Sequence, residues 1–347
     1  MTYSATLPIK WTIITIFCFI SCVASIGQDS LASLRFTIFD SLQNLDIGKV
    51  TLFFDIDSVL ENKLTPNEYP GKMVISREGG TELLHLEVKI SARGKFRRKK
   101  CDFPPLKLNF DKSQLKEIGL HKTDDYKLVT HCLDGKTGEK LLLKEYMVYE
   151  LYQILTSKSF QVRLFPIVYK DVNSDLEIET IAFLIENDKE LADRLRGELC
   201  DCLGTDNKEI DPVLYEQLAL LQYMIGNRDM NLPTLHNIKL IKKENGQKMI
   251  PVGYDFDFSL LVKAPYAFPG VTDNRKVKRL YLGAPRNAHI MEKVFTNFLS
   301  NKEQILDHVN DFKLLPALAR KECLYYLKEF YRDINRKEYK MEYLTDD

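Results

Sequence analysis

The sequence predicts an α+β protein with a protein-kinase-like two-lobed fold, a β-rich N-terminal lobe followed by a mostly helical C-terminal lobe. Three observations carry that expectation. Short apolar, β-branched and aromatic runs fill positions 34 to 110. Helical periodicity takes over after Glu186. Asp229, Asn237 and Asp255 flank a single hairpin between two apolar strands.

The first 27 residues have the order of a secretory signal: Lys10, an apolar run from Trp11 to Ile20, then small residues from Ser21 to Gly27. The run is shorter than the ~20 residues a spanning helix needs. Export follows as an expectation, to the periplasm or cell envelope. Ile20-Ser21-Cys22 resembles a lipobox, with Phe19 in the position usually held by leucine, so membrane attachment is expected only if Cys22 is lipidated. Cleavage leaves Cys101, Cys132, Cys200, Cys202 and Cys323, an odd number that requires at least one unpaired thiol. For Cys101 and Cys132, a disulfide and two buried free thiols are equal alternatives. Cys200-Asp-Cys202 lacks the two-residue gap of a zinc half-site.

Residues 28–186 read as the β-rich lobe with one helix. Its expected strands are Phe36 to Phe39, Val50 to Phe54, Met73 to Ser76, Leu84 to Ile90, Leu106 to Phe110, Gln161 to Tyr169 and Glu177 to Ile185. A turn at Glu78-Gly79-Gly80-Thr81 makes the early ones an antiparallel meander. The helix spans about Leu141 to Leu155, with Leu143, Tyr146, Met147, Leu151 and Ile154 on one face and Glu150 inside that stripe.

Residues 187–347 read as the mostly helical lobe. Asp211-Pro212 starts a helix that Gly226 stops, which delivers the chain to Asn227. Strands from Ile238 and from Met249, joined by Glu244-Asn245-Gly246-Gln247, form the hairpin. Helical spacing returns from Ala288 to Tyr343. Lysine plus arginine equals aspartate plus glutamate at 49 each, which gives no overall positive field to hold nucleic acid.

Phosphoryl transfer needs a base or positioner for the attacking hydroxyl and oxygen ligands for the cation that offsets phosphate charge. Asp229 before the hairpin, Asn237 at its start and Asp255 just after it supply those groups in the order kinases use. The gap from Asp229 to Asn237 contains Pro233 and exceeds that of ordinary kinases, so the loop must bulge or Asn237 has another role. Asp255 and Asp257 share one face by alternation, with Phe256 and Phe258 on the other, and two like charges on one face suggest a cation.

The ordered stretches Ala92-Arg93-Gly94-Lys95-Phe96-Arg97-Arg98, Phe103-Pro104-Pro105-Leu106-Lys107-Leu108, the helix around Glu150, Gly226-Asn227-Arg228-Asp229, His236-Asn237 and Tyr254-Asp255-Phe256-Asp257 resemble the spore-coat protein H (CotH-like) kinases, an atypical kinase branch. The resemblance implies ATP with Mg or Mn as cofactors. It implies Asp229 as catalytic aspartate, Asn237 and Asp255 as metal ligands, to which the shared face adds Asp257, Lys107 as the phosphate-contacting lysine and Glu150 as its ion-pair partner. Arg93 and Gly94 would lie over the phosphates. The acceptor would be an envelope or extracellular protein or a small hydroxyl-bearing molecule. The competing expectation is a non-catalytic (pseudokinase) envelope binding protein. Asp55-Ile56-Asp57-Ser58 after an apolar strand resembles the nucleophile motif of haloacid-dehalogenase-type phosphatases, but the meander that follows does not suit that parallel-sheet fold. His131 and His236 read as hydrogen-bonded structural residues.

Overall fold

The computed structural model describes residues 36–243, 246–268, 278–284 and 288–335. The expected signal over residues 1–27, the Cys22 motif and Glu244-Asn245 of the hairpin turn lie outside them.

The two-lobed kinase-like expectation is overturned by a closed barrel. Strands β1 (Lys49–Phe54), β2 (Tyr69–Ser76), β3 (Glu82–Ala92), β4 (Leu106–Phe110), β5 (Asp125–Val129), β6 (Val162–Asp171) and β7 (Glu177–Ile185) close in the order β1-β2-β3-β4-β5-β7-β6. The first four fall on expected strands and form the expected antiparallel meander, which β5, not foreseen from the sequence, extends. The seal is the parallel pairing of β1 with β6, from Val50 opposite Ile167 to Phe54 opposite Asp171. Helix α5 (Gly135–Leu155) separates β5 from the β6–β7 hairpin and lets that hairpin return in this orientation. Closure pairs the two edges that an open sheet would leave bare. The pairing joins segments more than a hundred residues apart, and no local pattern announces it.

Strand alternation fills the barrel with side chains. Leu52 and Phe54, Leu86 and Ile90, Leu106 and Leu108, Tyr126 and Leu128, and Ile167 and Tyr169 all belong to one buried cluster. Val129, Val162, Phe183 and Ile185 of the same strands belong instead to a second cluster. That second core also takes in Met147, Tyr149 and Leu151 of α5, so the outer face of β5, β7 and β6 packs on this helix. It extends through α7 (Pro212–Ile225), α8 (Ala288–Ser300), α9 (Lys302–Asp311) and α10 (Ala317–Ile334). Among the described residues no helix is long and apolar enough to cross a membrane.

Short helices decorate the barrel, three of them where strand or loop was expected. Phe36 to Phe39 is not a strand: Thr37 and Asp40 form a capping box that starts α1 (Ile38–Asn44). Asp55 caps α2 (Ile56–Glu61), accepting from Ser58 N at 2.8 Å, which gives this aspartate a structural task in place of the phosphatase role. The basic run forms a single turn, α3 (Arg97–Lys100). Helices α4 (Lys112–Glu117) and α6 (Asp188–Arg194) follow β4 and β7. A second, three-stranded sheet holds β8 (Glu198–Cys200), β9 (Ile238–Lys242) and β10 (Ile250–Gly253) in the order β10-β9-β8.

A disulfide joins Cys101 to Cys132, Cys200 and Cys202 are paired, and Cys323 is free and buried, as the odd count requires. The first disulfide ties the end of α3 to the segment entering α5. His131 departs from expectation. Its ring stacks on Phe103 at 5.1 Å, its Nδ1 has no hydrogen-bond partner among the described residues, and burial pushes its pKa down.

Candidate functional site

Helix α7 ends at Gly226 in the left-handed region, φ 68°. A Cβ there would sit 2.1 Å from the Tyr326 hydroxyl and 2.9 Å from Leu260, so both backbone and packing demand glycine. The next residue, Asn227, is fully buried, and its Oδ1 accepts from Asp229 N at 3.0 Å.

Asp229 is then fixed from both sides. Asn237 Nδ2 donates to its backbone oxygen at 2.7 Å and to its Oδ2 at 2.9 Å, and His236 Nε2 lies 2.8 Å from its Oδ1. His236 is therefore not only structural: it faces the carboxylate that the sequence singles out. The long gap is accommodated by a bulge. Asn231 and His236 exchange backbone hydrogen bonds at 3.0 and 2.9 Å, pinching off residues 232–235 as a loop. Leu235 and Asn237 take positive φ, 50° and 55°, on its return.

Across the hairpin, Tyr254 N donates to Asn237 O at 3.1 Å, and so brings Asp255 next to Asn237. Asp255 also holds positive φ, 63°, and its N–H donates to the Tyr149 hydroxyl of α5 at 2.9 Å. Phe256 is fully buried against Tyr149, ring centroids 4.8 Å apart, but the segment is a turn rather than a strand, and Phe258 packs instead on Phe96 and Tyr266, so the expected alternation does not hold here. Asp229, Asn237 and Asp255 are thus brought together.

The cation facing Asp255 and Asp257 is a side chain. Arg97 bonds Asp257 through Nε at 2.7 Å, Asp255 through Nη2 at 3.1 Å, and Glu145 of α5 through the same Nη2 at 2.7 Å. The side chains of Arg97, Glu145 and Asp257 are 8%, 4% and 3% exposed, whereas that of Asp255 is 40% exposed and reaches solvent. Three carboxylates meet one guanidinium in a low-dielectric site. Burial drives the Glu145 carboxyl up to about 8, with Asp257 and Asp255 adding to the shift and Arg97 opposing it. Burial likewise raises Asp257, against Arg97. Arg97 itself stays charged, since its carboxylate partners outweigh the cost of burial.

Lys107 and Glu150 are not brought together. Lys107 points outward from the barrel, as the alternation predicts, but its Nζ lies 3.2 Å from Asp125 and 3.8 Å from Glu68. Glu150 finds its partner in His308 of α9 at 3.0 Å. Gly94 takes positive φ, 86°, and its carbonyl accepts from Arg98 Nε at 2.9 Å.

A second charged group lies against the Tyr254 ring. Lys127, opposite Lys107 in the β4–β5 register, pairs with Asp188, and Lys239 of β9 lies 3.0 Å from the same carboxylate. Lys127 Nζ sits 5.2 Å from the Tyr254 ring centroid and 5.6 Å from that of Phe160. Burial lowers the Lys127 pKa against the pull of Asp188, with the nearby Arg93 guanidinium adding to the depression. Burial also works against the Asp188 carboxylate, yet Lys127 and Lys239 hold it below the usual range. Arg93 therefore belongs to this group. Lys127 was legible in principle, because Tyr126-Lys127-Leu128 repeats the apolar-cation-apolar pattern of Leu106-Lys107-Leu108. Arg97 had no such signal, since a buried arginine inside a basic run reads like its solvated neighbours.

A divalent cation fits part of this arrangement. Asn237 Oδ1 accepts no hydrogen bond among the described residues, and Asp255 is half open, so these two side chains could hold one. Asp257 is committed to Arg97. Among the described residues no three His, Cys, Asp or Glu side chains form a cation cage. One or two protein oxygens suffice where phosphates complete the coordination of Mg.

Comparison of the chain with protein-family models and with curated protein sequences gave no match.

Proposed function

We propose that this chain is an exported phosphotransferase that moves the terminal phosphoryl group of ATP, with Mg or Mn, to a hydroxyl on a protein or small molecule. The observation that carries the reading is the adjacency of Asp229, Asn237 and Asp255, with the cations Arg93, Lys127 and Lys239 grouped around the neighbouring Tyr254. Asp229 would orient and deprotonate the acceptor hydroxyl, its carboxylate held by Asn237 and steadied by His236. Asn237 and Asp255 would hold the metal, which when bound offsets phosphate charge. Lys127 and Arg93, rather than Lys107, would face the phosphates. The barrel serves as the rigid support for this site, and fold alone argues for no activity.

A second reading has one observation in its favour: Arg97 already occupies one oxygen of Asp255, as in a non-catalytic envelope protein that has given up its metal. Thermal denaturation with ATP plus Mg or Mn separates the two. On the catalytic reading ATP with metal raises Tm, Asp255→Asn abolishes the rise, and Asp229→Asn keeps it while losing phosphate transfer read by intact-mass analysis. No rise with either metal ends the catalytic reading.

A further inference from the structure

The hairpin has a second end. Away from Asp229 and Asp255, the turn end of β9–β10 borders a cavity of about 880 Å³ lined by Lys158, Arg194, Arg196, Lys243, Lys248 and Asp211 among others. That volume suits a small-molecule ligand.

The charge of this cavity is one-sided. Arg194 is neutralised by Glu186, bonded at 2.7 Å through both Nε and Nη2, and its Nη1 and Nη2 also bind the backbone oxygens of Ser157 and Ser159 at 2.9 and 2.6 Å. It builds the wall. Among the described residues Lys243 Nζ bonds the carbonyls of Leu195 and Arg196, at 2.6 and 2.9 Å. Lys158, Arg196, Lys243 and Lys248 have no acidic partner among the described residues. The acid in the lining, Asp211, caps α7 by accepting from Leu214 N at 3.0 Å, so its charge is spent on the helix end.

Arg196 gives an independent sign. It follows the C-cap of α6 in the left-handed region, φ 53°, a place where glycine is preferred, and Gly197 stands beside it. Keeping a long cation there at a conformational cost points to a use for the side chain.

We infer that this cavity is a binding site for a compact polyanion, a phosphate chain or a polycarboxylate, separate from the site around Asp229. Four cations without an acidic partner among the described residues, around one half-open space, attract multiply charged anions more than single ones, and salt weakens the attraction. This site stands whether or not the chain transfers phosphate.

The test is calorimetric titration of the full mature chain with inorganic tripolyphosphate and, separately, citrate, without divalent metal. Either should bind, and the stronger one identifies phosphate or carboxylate as the preferred group. The combined Arg196→Gly and Lys248→Ser variant should bind at least tenfold more weakly. Its ligand-free Tm should hold or rise, because glycine relieves the left-handed residue. Asp255→Asn should leave the affinity unchanged. No binding of either anion by the wild type, unchanged affinity in the combined variant, or loss of binding in Asp255→Asn would each overturn the assignment.

Discussion

Two charged groups adjoin at consecutive residues, one at Asp255 and one at Tyr254, and they carry opposite excess. On one side Arg97 alone meets Glu145, Asp255 and Asp257. On the other, Arg93, Lys127 and Lys239 meet Asp188, with Asp201 farther from Lys239. The acidic group is dry except at Asp255, whereas the Lys127 and Asp188 side chains of the basic group remain 22% and 21% exposed. The contrast teaches that a buried mismatch and a wetted mismatch have different uses. Surplus carboxylates inside must share a proton or a cation, while surplus cations at a wet edge can wait for an anionic ligand. A metal–phosphate ligand would complete both, its cation beside Asp255 and its phosphates beside Lys127.

The most damaging way to break this contrast is Arg97→Met. It leaves Glu145 and Asp257 buried with no cation, and removal of one partner from a buried ion group costs about 3–5 kcal/mol. Urea denaturation should show this loss. A cost below about 1 kcal/mol, the range of an exposed pair, would mean the cluster is hydrated and the contrast unreal.

The next effect is one of pH. The Glu145 carboxyl is raised to about 8 in the folded chain from the ordinary 4.5, so the folded protein binds the extra proton between these values. Its contribution to stability is fully present below about 4.5 and is lost as pH rises through about 8, with a slope of at most about 1.4 kcal/mol per pH unit. Denaturation midpoints of Glu145→Gln should fall less steeply over that window than those of the wild type, because the amide still accepts from Arg97 and no longer titrates. Equal slopes would assign the proton elsewhere.

On the basic side Asp188→Asn should cost less, about 1–2 kcal/mol, because water reaches Lys127 and Lys239. The same variant should gain more than the wild type from ATP with Mg, since phosphate would replace the missing anion. A smaller ligand-induced Tm rise than in the wild type would remove Lys127 from the proposed phosphate site.

How far these groups could be foreseen depends on the range over which each is specified. The helix stop at Gly226, the hairpin from Ile238 and the adjacency of Asn237 to Asp255 rest on neighbours a few to about twenty residues apart, and turn and alternation patterns announce them. Barrel closure rests on β1 meeting β6, and the acidic group on Arg97 meeting residues 48 to 160 positions away. Such contacts follow from packing and leave no local trace. Lys127 lies between these cases: its alternation was present in the chain, but its strand, β5, is only five residues long and sits between Asp124 and Thr130 with no turn signal to mark it.

The smallest effect tests that lesson directly. Lys107 satisfies every local criterion for the phosphate lysine, yet its side chain is 36% exposed and paired with Asp125 and Glu68, which are 50% and 30% exposed. Pairs of this kind contribute about 0–1 kcal/mol. Lys107→Ala should therefore change stability by less than about 0.5 kcal/mol and leave the ATP-dependent Tm rise intact, while Lys127→Ala should abolish that rise. The reverse pattern would put the phosphates at the lysine that the sequence singles out and would require β4 and β5 to exchange roles in the liganded protein. Because Lys107 and Lys127 face each other in register on the same outer surface, a shift of one side chain length would suffice. The paired variants therefore measure which of two adjacent cations the ligand selects, a distinction that strand register permits and only the surrounding charges decide.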